Sequence, residues 1–248
     1  MRYFIVILLS QILHAQSGFD IAKMVDQRPI PKDLSNTTTM VLTNSKNKTR
    51  ESSMVSRSVG GNKKQIIWFL EPKDDKGVSF LKIEHDGKDD EMRMWLPAFK
   101  KVRRISSKKK GDAFMGSDLS YEDLSSRDLK ENDYVRLEDE LIDGKDYYIL
   151  EVIPKKKTGS SYSKHISWID KETLSVLKER SFDKRGVLKK EKDFQYQKIG
   201  FYFIVDRVFV KDVQSAHSTE IIFSNILINS GIDSGLFHEK NLKRIPRI

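Results

Sequence analysis

The sequence has no cysteine in its 248 residues. A disulfide scaffold, a zinc or iron–sulfur site built on thiolates, a cysteine nucleophile and acylation at cysteine are therefore excluded. Histidine is also scarce, and the five histidines lie far apart along the chain. We therefore expect no metal site.

The motifs of the common enzyme classes are missing as well. There is no G-x-S-x-G, no H-E-x-x-H, no Walker A sequence and no G-x-G-x-x-G, so the usual nucleophile, zinc and phosphate sites are not indicated. Asp118, Glu122 and Asp123 could supply paired carboxylates for acid–base catalysis. A helical turn capped by Asp118 or Ser120, with Asp123 as the second member of a capping pair, accounts for the same residues. We predict that the chain is not an enzyme.

The N-terminus carries a short apolar run. Arg2 precedes a mostly apolar run over positions 3–13, which includes Ser10 and Gln11 and ends near Ala15. This order is typical of a secretory signal peptide, and the run is short for a membrane span; an uncleaved anchor or a buried N-terminal element is the alternative. We predict a signal peptide over residues 1–16, cleaved near Ala15–Gln16, and a soluble, exported domain over residues 17–248. No later stretch is long and apolar enough to cross a bilayer.

Charge is what the chain has in quantity. Forty-five lysines and arginines against 36 aspartates and glutamates give a net charge of +9, and 33% of the residues are charged. An aromatic content of 10% nevertheless argues against disorder. The basic excess is compatible with nucleic acid, anionic lipid or an acidic protein as partner. The predicted export argues against nucleic acid.

Hydrophobic periodicity predicts one short helix followed by many strands. Ile21, Met24 and Val25 recur at helical spacing, with Asp20 as the expected cap. After residue 31 the dominant period is two, and tight-turn signals separate the apolar runs. We count about eleven strands, without the regular alternation of helices and strands that indicates a parallel sheet. The pattern predicts a single domain built as an antiparallel meander, long enough to curl into a barrel or part of one. The tight-turn signals are Asp86-Gly87, Asp143-Gly144 and residues 183–186.

A basic stretch follows the aromatic segment at residues 95–99. Seven lysines and arginines lie within residues 100–110, which creates a local potential of several kT at low salt. A solvated strand and loop without a partner is one explanation. Contact with anionic lipid headgroups or with an acidic face of a membrane protein is the other. The candidate contacts are Lys100, Lys101, Arg103 and Arg104.

Methionines and aromatic residues recur through the predicted strands. Ordinary filling of the core explains them. A pocket for flexible apolar ligands explains them as well, because the methionine thioether repacks at little cost. The candidates for the lining of such a pocket are Trp68, Met92, Met94, Leu96, Phe114 and Met115.

Several blocks of the sequence resemble bacterial outer-membrane lipoprotein-sorting proteins, which belong to the superfamily of periplasmic lipoprotein carriers and receptors. The blocks are FLEPKDDKG at 69–77, WLPAFKKVRRI at 95–105, FMGSDLSYEDL at 114–124, WIDKET at 168–173 and the ending at 226–237. They occur in order and extend over nearly the whole predicted mature chain. The three central blocks are the most distinctive.

The resemblance implies a mainly β protein with short helices (α+β): a half-open antiparallel β-barrel of about eleven strands with a helical lid over its concave face. Residues 20–27 are the candidate lid helix. The implied function is a periplasmic carrier that binds lipid or lipoprotein acyl chains in a hydrophobic cavity and transfers them between membranes. The implied partners are a lipid or acylated protein and an inner-membrane lipid-exporting transporter, and no cofactor is needed. The basic stretch adds the anionic membrane surface as a partner. The alternative is a periplasmic protein-interaction or envelope-stress sensor module of the same fold, which a filled barrel interior would favour.

Overall fold

The backbone forms one long antiparallel sheet. The computed structural model describes residues 16–246, in which fourteen strands follow a single α-helix. The predicted signal peptide lies outside the described residues except for its last residue. The helix is α1 (Gly18–Asp26), and the strands are β1 (Asp33–Thr43), β2 (Thr49–Val59), β3 (Lys64–Glu71), β4 (Ser79–Ile83), β5 (Glu91–Leu96), β6 (Lys101–Ile105), β7 (Asn132–Arg136), β8 (Glu140–Ile142), β9 (Lys145–Pro154), β10 (Tyr162–Asp170), β11 (Val176–Asp183), β12 (Leu188–Ile199), β13 (Tyr202–Asp212) and β14 (His217–Ile228).

The strand order places the first and the last strand, β1 and β14, side by side in the middle of the sheet. The order is β6-β5-β4-β3-β2-β1-β14-β13-β12-β11-β10-β9-β7, and β8 also pairs with β9. Neighbours along the chain are therefore neighbours in the sheet, except at the pairing of β1 with β14 and around β7 and β8. The sheet does not close on itself, so the predicted half-open antiparallel barrel is confirmed in outline. Within residues 16–246, no helix is long and apolar enough to span a bilayer.

The number of strands is larger than the sequence predicted. The structure has fourteen strands rather than about eleven. Two of the additional strands, β7 and β8, are short and lie in a stretch dense in charged residues, so neither carries a clear alternation of apolar and polar side chains. Both strands are held in place by pairing with the long strand β9 and not by a hydrophobic pattern of their own.

The predicted turns are confirmed. Asp86-Gly87 lies between β4 and β5, Asp143-Gly144 between β8 and β9, and residues 183–186 between β11 and β12. Gly87 and Gly144 have φ angles of 74° and 76°, in the left-handed region that glycine adopts without a steric cost. These tight turns join successive strands, and the sheet therefore forms the predicted antiparallel meander in these regions.

The predicted helix is confirmed, but its cap is Ser17 rather than Asp20. The Ser17 hydroxyl accepts from the Asp20 N–H at 3.2 Å, and the Asp20 carboxylate accepts from the Ser17 N–H at 3.0 Å. This is a reciprocal capping box, with Asp20 in the third helical position. Ile21 and Ala22 pack against Leu150 and Ile169, and the helix covers one end of the sheet, chiefly at β7 and β9.

The two faces of the sheet carry different coverings. We call the face of the sheet that α1 covers the inner face. The pairing of residues between neighbouring strands shows which side chains of the other strands belong to the same face. Residues 106–131, which we call the covering segment, lie over the rest of this face. The C-terminal residues 232–242 pack on the opposite face, where Phe237 and Leu242 contact the sheet. The lid is therefore mainly a loop with short 3-10 turns, and the single helix contributes only at one end.

Candidate functional site

Half of the inner face is a largely apolar surface, in which Lys82 and Thr219 are buried polar side chains. It is built by β1 to β6 together with β13 and β14, because every second residue of these strands points to the same side. Its largest side chains, Phe69 and Phe80, are fully buried. The surface consists of Met40, Leu42, Met54, Ile67, Phe69, Val78, Phe80, Met92, Met94, Ile105, Val208, Val210 and Ile221.

The covering segment fills this surface with its own apolar side chains. The Phe114 ring is packed between Phe69, Phe80 and Tyr121, with ring centroids 6.1, 5.2 and 5.9 Å away. Leu119 and Tyr121 are buried beside it. An amphiphile that used this surface would have to displace the Phe114 side chain, since both would occupy the same space.

A tight turn and strand β14 position Phe114. Met115 and Gly116 both have positive φ angles, 50° and 78°, so the chain reverses immediately after the phenylalanine. The Asp118 carboxylate then accepts from the Thr219 hydroxyl at 2.6 Å and lies 2.8 Å from Nδ1 of His217. These contacts fasten the tip of the covering segment to β14.

The other half of the inner face is polar and holds buried charge. The Asp123 carboxylate, from the covering segment, is 1% exposed. Its Oδ2 accepts from Lys190 Nζ and from the Tyr162 hydroxyl, each at 2.8 Å. Its Oδ1 accepts from Lys192 Nζ at 2.5 Å. Both lysines are about as buried as the carboxylate, since their side chains are 5% and 4% exposed.

A second carboxylate extends the network along β11. Glu179 accepts from both terminal nitrogens of Arg127, at 2.5 and 2.8 Å, and from Lys192 Nζ at 3.1 Å. His165 lies beside them, with Nδ1 2.9 Å from the Ser181 hydroxyl. Three cations and two carboxylates thus share one site, in which Arg127 and Asp123 come from the covering segment.

The charges of this network hold one another ionised. Burial alone would raise the pKa of the Asp123 carboxyl, but the adjacent Lys192 and Lys190 hold that pKa well below its usual range. Burial likewise acts against ionisation of Glu179, whereas Arg127 and Lys192 keep its pKa well below the usual value. Burial and then the Arg127 charge lower the pKa of His165 well below its ordinary value, so this imidazole is neutral.

The capping pair predicted at Ser120 and Asp123 is present. The Ser120 N–H donates to the Asp123 carboxylate at 2.8 Å, and the Asp123 N–H donates to the Ser120 hydroxyl at 3.3 Å. Asp118 does not cap this turn, because its carboxylate is directed to β14. The sequence pattern therefore identified the local role of Asp123 but not its ion pairs with strand β12.

Five of the six predicted lining residues lie on the apolar half of the inner face. Met92, Met94 and Phe114 are buried there, and Leu96 and Met115 are partly buried against them. Trp68 does not lie with them. Its neighbours in β3 are Ile67 and Phe69, which face inward, so the alternation of the strand turns Trp68 to the opposite face. There its indole N–H donates to the Asn241 carbonyl at 3.3 Å.

The four basic residues predicted as partner contacts lie at one end of the sheet. Lys101, Arg103 and Arg104 belong to β6, the last strand at that end, and Lys100 precedes it with a φ of 48°. All four are exposed. Charged side chains on an edge strand also prevent association through the unpaired backbone, so exposure alone does not assign a partner.

The cavity beside the covering segment is polar. Its volume is about 290 Å³, and it opens next to the buried charges. Lys110, Glu122, Arg127 and His165 are among its lining residues. Of the predicted lining residues, Met92 also borders this cavity. The apolar surface itself is occupied by the covering segment.

The ion-pair network was missed at the level of sequence. Lys190 and Lys192 alternate with charged neighbours in β12, and Glu179 lies between charged residues in β11. Such runs are usually solvated faces of strands. The only available signal was the spacing of two between Lys190 and Lys192, which places both side chains on one face of β12. To pair them with Glu179, the register between β12 and β11 would have had to be known.

Comparison with solved structures decides the family. An outer membrane lipoprotein-sorting protein domain from Vibrio parahaemolyticus is 32% identical, with a TM-score of 0.86, over 92% of this chain and 98% of that one. A DUF1329 family protein from Desulfovibrio piger is also 32% identical, with a TM-score of 0.85, over 91% and 97% of the two chains. The chain belongs to the outer-membrane lipoprotein-sorting protein family. The resemblance found in the sequence is confirmed.

The lipoprotein-sorting fold extends to more distant proteins. A LolA superfamily protein from Nitrosomonas europaea has a TM-score of 0.73 at 16% identity, over 91% of this chain and 99% of that one, which establishes a shared fold alone. A family model with the description "Uncharacterized protein" matches residues 61–244. No curated protein matches the chain.

Proposed function

We propose that the protein is a periplasmic carrier, not an enzyme, that holds the acyl chains of a lipid or a lipoprotein on the apolar half of its inner face and transfers them between membranes. The observation that carries the proposal is the apolar surface itself, which is covered by a loop segment rather than by a second sheet. A loop can be displaced without unfolding the strands beneath it. Family membership supports the same function.

The energetics of such a carrier follow from burial of the acyl chain. Each methylene removed from water contributes about 0.8 kcal/mol, so a single chain offsets the loss of the contacts made by Phe114 and Leu119. Release then requires another apolar site as acceptor, because water is a poor one. The proposed partners are an inner-membrane lipid-exporting transporter and the anionic membrane surface.

A second candidate function is a periplasmic protein-interaction or envelope-stress sensor module. The observation in its favour is that the covering segment fills the apolar half of the inner face with Phe114, Leu119 and Tyr121. A module of this kind would keep the segment closed and bind its partner on the outer surface. The two functions differ in whether an acyl chain moves the covering segment.

The absence of native cysteine allows a direct test of that movement. We expect a single cysteine introduced by Leu119→Cys, at a position 8% exposed, to react slowly with a water-soluble maleimide. Addition of a fluorescent acyl probe should accelerate the reaction at least about tenfold as the segment opens. Phe99→Cys, at a position 70% exposed, is the control and should react rapidly in both conditions.

Mass spectrometry of lipids that co-purify with the periplasmically expressed protein completes the test. We expect an acylated species to be present at a stoichiometric level. If no lipid co-purifies, the probe does not bind and Leu119→Cys stays protected, the carrier function is rejected in favour of the interaction module.

The basic residues of β6 form the proposed contact with the anionic membrane. Each basic residue near such a surface contributes about 1 kcal/mol, so the double reversal Lys101→Glu/Arg104→Glu should weaken binding to phosphatidylglycerol vesicles by more than about tenfold. The matched control is Lys46→Glu/Lys48→Glu, which changes two exposed lysines of the β1–β2 loop. Equal vesicle binding by both double variants in a co-sedimentation assay would remove this contact from the proposal.

A further inference from the structure

The covering segment places two kinds of chemistry on two halves of one surface. Phe114 lies in the apolar half, and Asp123, nine positions further along the chain, lies among the buried cations. An acidic amphiphile likewise consists of an apolar chain and, at some distance from it, an acidic headgroup. The segment therefore resembles, in chemistry and in placement, a ligand that could replace it.

We infer that the inner face binds an amphiphile with an acidic headgroup, a carboxylate or a phosphate, which takes the position of the Asp123 carboxylate between Lys190, Lys192 and Tyr162 while its acyl chain takes the position of Phe114. This inference rests on the proposed carrier function and adds the class of headgroup to it. It assigns Lys190, Lys192 and Tyr162 as the residues that recognise that headgroup.

The donors that would bind the headgroup belong to the sheet and not to the covering segment. Lys190 and Lys192 lie on β12, and Tyr162 begins β10. Their polar atoms converge on the Asp123 carboxylate at 2.8, 2.5 and 2.8 Å. When the segment moves away, the strands that carry these donors keep their relative positions, because the sheet fixes them. Charge-assisted hydrogen bonds of this length are the strong ones in proteins.

Charge balance favours an anion once Asp123 has left. Among the described residues, the other contact between an acid and this lysine pair joins Lys192 to Glu179 at 3.1 Å. Lys190 would then retain the Tyr162 hydroxyl at 2.7 Å and no contacting carboxylate. An unpaired charge at a buried site is strongly destabilising, so a neutral headgroup would leave the open form at a disadvantage. An anionic headgroup removes that cost.

The anion position adjoins the apolar surface, as an amphiphile requires. Lys192 is paired in register with Val210, which belongs to the apolar half of the inner face. Val208, two residues before Val210 on β13, belongs to it as well. A ligand with its headgroup at the lysines can therefore pass its chain along Val208, Ile221 and Met40, which pair in register on β13, β14 and β1. The cargo site is thus one continuous surface with a basic end.

Two variants, of which the second keeps the net charge of the wild type, separate headgroup recognition from opening of the segment. Asp123→Asn removes the internal competitor and keeps Lys190 and Lys192. Asp123→Asn/Lys190→Gln loosens the segment in the same way but removes one recognising cation, and it leaves no unpaired carboxylate behind. The probes are dodecanoate, dodecyl phosphate and the neutral dodecyl maltoside, below their micellar concentrations, in competition with a fluorescent acyl probe.

We expect the wild-type protein to bind the two acidic probes at least about tenfold more tightly than the neutral one. Asp123→Asn should widen this preference by a further factor of about ten, and Asp123→Asn/Lys190→Gln should reduce it to about threefold or less while binding of dodecyl maltoside persists. A preference for dodecyl phosphate over dodecanoate, or the reverse, identifies which acidic group the site takes. Tyr162→Phe removes one donor without a change of charge, and it should lower the preference for acidic probes severalfold. This variant provides the test if the double variant does not fold.

Equal affinity for acidic and neutral probes in the wild type and in Asp123→Asn would overturn the inference and leave the carrier function standing. A preference that persists unchanged in Asp123→Asn/Lys190→Gln and in Tyr162→Phe would also overturn it. Failure of all three probes to bind the wild type would instead reject the carrier function. The two failures are therefore distinguishable in one set of titrations.

Discussion

Replacement of Phe114 by alanine is expected to lower the free energy of unfolding by about 3–5 kcal/mol, the range for truncation of a buried phenylalanine. The ring is 3% exposed and is packed against three other aromatic rings. The loss combines the transfer free energy of the ring with the cost of the cavity that remains. Denaturant unfolding followed by tryptophan fluorescence measures it.

The same substitution is expected to strengthen binding of an apolar dye to the folded protein. Phe114 covers the apolar half of the inner face, so its removal exposes part of that surface without a change to the strands. Under the carrier function, the dye then occupies the position of the missing ring, and affinity should rise by about tenfold or more.

Phe99→Ala is the matched control for both measurements. This phenylalanine is 70% exposed, and truncation of an exposed side chain changes the free energy of unfolding by no more than about 0.5 kcal/mol. Dye affinity should not change. If Phe114→Ala behaved like Phe99→Ala in both assays, the covering segment would contribute no packing and the surface beneath it could not be the cargo site.

Acid is expected to destabilise the protein in two stages, of which the first begins near neutral pH. Burial and the Arg127 charge hold the pKa of His165 well below its ordinary value in the folded state, whereas the unfolded chain takes up a proton at about pH 6.5. Between that pH and the folded pKa the unfolded state binds one more proton. The free energy of unfolding should therefore fall by about 1.4 kcal/mol for each pH unit.

The second stage involves the two buried carboxylates. Despite their burial, Lys192 and Lys190 depress the pKa of Asp123, and Arg127 and Lys192 depress that of Glu179. Their contribution to stability is present above the pKa of an unfolded carboxyl, about 4. It is lost as the pH falls through the lowered folded values. The slope of stability against pH should therefore be steeper below about pH 4.

Urea unfolding at a series of pH values between about 7 and 2 tests both stages. His165→Gln removes the titrating group and should flatten the curve above about pH 5 while leaving the carboxylate stage in place. His217→Gln is the matched control, because that imidazole is partly exposed and contacts Asp118 instead. A stability that does not vary with pH in the wild type would mean that His165 is not held neutral.

Local sequence signals were sufficient for the course of the chain. Turns at Asp86-Gly87 and Asp143-Gly144 depend on two adjacent residues, and the α1 helix depends on a spacing within one or two turns. The capping pair of Ser120 and Asp123 is of the same kind. Such features are predictable because the interactions that form them join residues close in sequence.

Long-range pairing decided what local patterns left open. Strands β7 and β8 exist because β9 pairs with them. The inward or outward direction of Trp68 follows from the register of β3, and a shift of one residue would reverse it. Residues 66–70 of β3 are all apolar, because both faces of the strand are buried. The covering segment covers one face and the C-terminal residues cover the other. Alternation therefore could not reveal the register.

The sequence by itself determined that this protein is a cysteine-free antiparallel meander of the lipoprotein-sorting family, because turns, strand periodicity and the blocks that resemble the family are read within short stretches of chain. Only the tertiary structure decided that the inner face is half apolar and half charged. Asp123 is separated from Lys190 and Lys192 by more than sixty positions, and charged residues that look solvated in sequence become a buried site only when strands and covering segment meet. Coulombic and packing contacts depend on the distance between side chains in space. The order of residues along the chain does not specify that distance for residues far apart in sequence.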